Sequence, residues 1–93
     1  MQTKAEIVAQ IAAMLGVEAP HMSTGSTEPK DIFALINSVL ALGFDPKLTK
    51  PELARAIAEC MGLPWTATCE STGGTVTRDG LVLVRDSVAM LTG

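Results

Sequence analysis

The chain has 93 residues, 47% of them hydrophobic and only 3% aromatic, and carries a net charge of −3. That length suits one domain with an aliphatic core. No apolar run reaches the roughly 20 residues of a membrane span, the N-terminus lacks the apolar block of a signal peptide, and the acidic balance disfavours loose DNA binding, which draws on phosphate neutralisation.

A first helix is expected over 4–15. Thr3-Lys4-Ala5-Glu6 reads as a capping box, in which the Thr hydroxyl takes the N3 amide and the Glu reaches back to the cap amide. Ile7, Ile11 and Leu15 make one apolar stripe, and Gly16 followed by Val17 has the form of a Schellman stop. A small-residue loop, Ser23-Thr24-Gly25-Ser26-Thr27, leads into a second helix expected over 28–43, with Phe33, Ile36 and Leu40 on its stripe and Ile32, Leu35 and Val39 widening it. Phe44 and Leu48 lie in a short linker and are expected to plug a seam between neighbouring helices.

A third helix is expected over 50–61, with a second capping box at Thr49-Lys50-Pro51-Glu52, the stripe Leu53, Ile57, Met61, and a stop at Gly62-Leu63. Pro51 falls in the first turn, where its missing N–H is tolerated. The loop that follows holds Trp65 and then Ser71-Thr72-Gly73-Gly74-Thr75. Beyond it, Thr75-Val76-Thr77, Asp79-Gly80 and the valine-rich run after it also read as a β-hairpin over 75–84. Leu81, Val84, Val88 and Leu91 instead mark a helix over 78–91.

An internal repeat favours the helix. Residues 3–17 align on 49–63 at an offset of 46, and residues 23–43 on 71–91 at an offset of 48. Thr, Lys and Glu of the capping boxes coincide, as do Ser-Thr-Gly, Lys30 with Arg78, and Asp31 with Asp79. The expected fold is therefore all-α: one four-helix domain built from two helix–loop–helix units, 3–43 and 49–91, packed so that each covers the other's apolar stripe.

The chemistry-bearing residues are few. Cys60, Cys69 and the lone His21 fall short of the four ligands of a structural zinc site, so two reduced thiols in a cytoplasmic protein are expected, with no metal or cofactor. Neither His21 nor the Cys69-Glu70 pair makes a catalytic set, so no enzymatic activity is expected. The Ser/Thr/Gly loops, each preceding a helix that starts near a basic residue, match an anion site at a helix N-terminus, and equally the residues that caps and turns require. Trp65 is either a partner-facing anchor or a lid over helix ends. Met14, Met22, Met61 and Met90 read as core filler. Charge divides unevenly, with two lysines against five carboxylates in 1–46 and five cations against five carboxylates in 47–93.

Glu52-Leu53, Gly62-Leu63-Pro64, the Gly/Thr loop, Arg78 and Leu81 resemble the helix–extension–helix plan of SAP-type nucleic-acid-binding modules. The stretch from Lys50 to Ile57, with Trp65 and the 71–75 loop, is also similar to small modules attached to bacterial restriction endonucleases. These resemblances imply a DNA-binding accessory module in a restriction or defence system. Its contacts to duplex DNA would come from Thr27, Lys30, Lys50, Arg55, Ser71, Thr72, Gly73, Thr75 and Arg78. The alternative is a protein-interaction module (adaptor, inhibitor or homodimerising unit) that uses Trp65 and the acidic first half.

Overall fold

The computed structural model describes residues 3–17, 31–45, 47–70 and 76–93. Four α-helices follow in chain order: α1 Lys4–Leu15, α2 Asp31–Val39, α3 Lys50–Cys60 and α4 Arg78–Thr92, with a 3-10 turn at Ala67–Cys69 before α4. The all-α expectation holds.

Local chemistry explains most of the boundaries. At both capping boxes the threonine hydroxyl accepts from the N3 amide, at 3.2 Å from Glu6 and 3.4 Å from Glu52. Each glutamate in turn accepts from the cap amide, at 3.3 Å from Thr3 and 3.2 Å from Thr49. The two helices also stop alike. Gly16 and Gly62 are left-handed, at φ 72° and 76°, and the next amide reaches back five residues, Val17 to Ala12 at 3.0 Å and Leu63 to Ala58 at 3.1 Å. This is the Schellman pattern expected at both sites.

α2 stops earlier than position 43. Leu42 N–H bonds to Asn37 O at 3.0 Å and Ala41 N–H to Ser38 O at 3.2 Å, which closes the same motif on Ala41 at φ 52°. The chain then turns, and the Asn37 side chain clamps it: Nδ2 donates to Phe44 O at 2.8 Å, and Oδ1 accepts from Phe44 N–H at 3.0 Å.

No hairpin forms over the described part of 75–84. Val76 makes a single antiparallel bridge to Glu70, and the helix begins at Arg78. Thr77 caps it, accepting from Gly80 N–H at 3.4 Å. The reason for glycine at position 80 is proximity and not a turn. A Cβ there would lie 2.6 Å from the backbone oxygen of Cys69, 2.6 Å from Val76 Cγ1 and 3.0 Å from Trp65 Cη2.

The helices pack as a closed ring, α1 and α3 each touching both α2 and α4. The core they enclose is aliphatic apart from Phe33. It takes Ile7, Val8 and Ile11 from α1, Ile32 and Ile36 from α2, Leu53 and Ile57 from α3, and Leu81, Val84 and Val88 from α4, with Val76 just before it. Fully burying one such side chain contributes about 1.5–3 kcal/mol. Phe44 and Leu48 pack on the margin of this core, as expected of the linker. Val39 and Met90 depart from expectation: they are 44% and 52% exposed. Met90 lies off the row that α4 turns inward, and Val39 is the last residue of α2, where the row runs out of the core.

Candidate interaction surfaces

Of the residues expected to contact DNA, Thr27, Lys30, Ser71, Thr72, Gly73 and Thr75 lie outside the described residues, as does His21. The frame around 71–75 is well tied. Glu70 and Val76 pair across it, Thr77 N–H bonds to Cys69 O at 2.9 Å, and Thr77 Oγ1 donates to Thr68 O. Arg78 follows as the first residue of α4 and is half-buried. It makes no ion pair among the described residues.

The other cations are not gathered beside it. Lys50 and Arg55 are both on α3, but five residues apart they sit about 140° around the helix axis from each other. Arg55 is paired with Glu59 one turn on, Nε to Oε2 at 3.2 Å. Arg85 donates to Gln10 Oε1 at 3.0 Å, which ties α4 to α1, and pairs with Asp86 at 3.5 Å. The structure therefore shows separate, largely compensated charges on these helices and not a basic stripe.

Trp65 is half-buried, packed against the core and over Gly80, with its indole N–H donated to Glu70 Oε1 at 3.0 Å. It lies over the N-terminal turn of α4, the lid arrangement considered from sequence.

A surface feature not foreseen lies between α1 and α4. A shallow groove of about 400 Å³ is lined by Gln10, Ala13 and Met14 from α1 and Arg85, Asp86 and Ala89 from α4. Its lining is mainly apolar, with polar groups from Gln10, Arg85 and Asp86. Exposed Met90 adjoins it, next to Ala89 and one turn beyond Asp86. The signal in the sequence was faint: alanines at outward helix positions, and a methionine two residues past Val88 of the core stripe.

The thiols are quiet. Cys69 is buried and Cys60 is exposed, and neither forms a disulfide. The Cys60 Sγ donates back to Ile57 O at 3.0 Å, and partial burial pushes its pKa above the ordinary 9.0. That favours the thiol over the reactive thiolate at neutral pH. No group of three or more His, Cys, Asp or Glu among the described residues could hold a metal ion. No described helix is long and apolar enough to cross a membrane.

No family model, curated protein or solved structure matches the chain.

Proposed function

We propose that this chain is a non-catalytic protein-interaction module whose binding face is the α1–α4 groove. The observation that carries this is the pairing of the groove's mainly apolar lining with a large exposed apolar side chain, Met90, beside it. Methionine is enriched in protein interfaces and adapts its shape to a partner. Gln10, Arg85 and Asp86 supply polar groups that would fix orientation. The reading is tested by placing a photo-crosslinking residue at position 90, and in a control at exposed Glu59 on α3, in the cells that make the protein. A discrete crosslinked species from position 90 and none from 59 is expected. Equal labelling from both, or none from 90, would refute it.

One observation favours DNA as a second reading. Arg78 occupies the first turn of α4 without an ion pair among the described residues, where the positive end of the helix dipole disfavours a cation. An anion would satisfy both. The role would be the accessory one, in restriction or defence, that the similarity to modules attached to restriction endonucleases implies. The matched caps and stops of α1 and α3 support the underlying duplication of 3–43 and 49–91. Gel shift with duplex DNA at low salt should then show binding that weakens as salt rises and is lost in Arg78→Glu. No shift at low salt would sink the DNA reading.

A further inference from the structure

We draw no further inference here: the strongest candidate, the α1–α4 groove with exposed Met90 beside it, belongs to the surface already described, and nothing in the structure shows what covers it.

Discussion

Replacing Gly80 by alanine is expected to destabilise the fold, opposite to the usual effect of that change within a helix. Helix propensity alone favours alanine by about 1 kcal/mol, and by less in a first turn. Against this stands the space available. The added methyl would sit 2.6 Å from Cys69 O and 2.6 Å from Val76 Cγ1, where contacts between heavy atoms are optimal near 3.5–4.0 Å. Val76 could rotate away, but Cys69 O is backbone and already accepts from Thr77 N–H at 2.9 Å. Relief requires the start of α4 to back away from the 65–70 segment, which stretches that bond and the one from Thr77 Oγ1 to Thr68 O. Overpacking of this kind costs about 1–3 kcal/mol, and a weakened hydrogen bond adds about 1 kcal/mol. The net loss is about 2 kcal/mol, or roughly 8–16 °C in Tm for a domain of this size. Urea unfolding followed by fluorescence of Trp65, the chain's single tryptophan, reports the change directly, because the indole lies over the substituted position. A Gly80→Ala variant as stable as wild type, with unchanged Trp65 emission, would refute this close approach.

Three further outcomes follow from local geometry. Asn37→Ala removes both bonds to Phe44 and should cost about 1–3 kcal/mol in urea unfolding; Asn37→Asp, which keeps the acceptor and loses the donor, should fall between. Ala41→Gly should raise stability by about 0.5–1 kcal/mol, since the left-handed region costs a non-glycine residue about 1–2 kcal/mol and glycine gives part of that back as unfolded-state entropy. Glu52 is held below the ordinary carboxyl value of 4.5 by the hydrogen bonds from the Thr49 hydroxyl and amide. A depressed folded-state pKa adds stability above the unfolded value, lost as pH falls through the folded one. The stability gap between wild type and Glu52→Gln, followed by thermal melts from neutral to acid pH, should therefore be constant near neutrality and close below pH 4.5; a gap unchanged in acid would contradict the capping role.

The helices whose ends are written in local chemistry were legible. α1 and α3 carry their start signals in a four-residue box and their stops in a glycine, and both are made by contacts within a single turn or two. The end of α2 was not, because its left-handed residue is Ala41, which no propensity rule selects, while Gly43 nearby invited a longer helix. Position 80 carried a competing signal, which the repeat outweighed. Asp79-Gly80 suggests a hairpin turn only when the chain around it is unknown; the glycine answers to the backbone of Cys69, eleven residues earlier, and such a demand is invisible to any local pattern. Hydrophobicity also overstated the core, for Met90 and Val39 are apolar but face outward, and only the packing of the four helices decides which rows turn inward. For the expected binding residues, the Arg55–Glu59 pair illustrates the difficulty. Cations can be counted in a sequence, but their value to an anionic partner depends on what else holds them.

The α1–α4 face as the binding surface is tested most directly by amide correlation spectra of the isotope-labelled chain, recorded alone and again in unlabelled extract of the cells that make the protein. Shift changes confined to Gln10, Ala13, Met14, Arg85, Asp86, Ala89 and Met90 are the predicted result. Spectra unchanged by the extract, or changes centred on Trp65 and Arg78 with the groove silent, would contradict it.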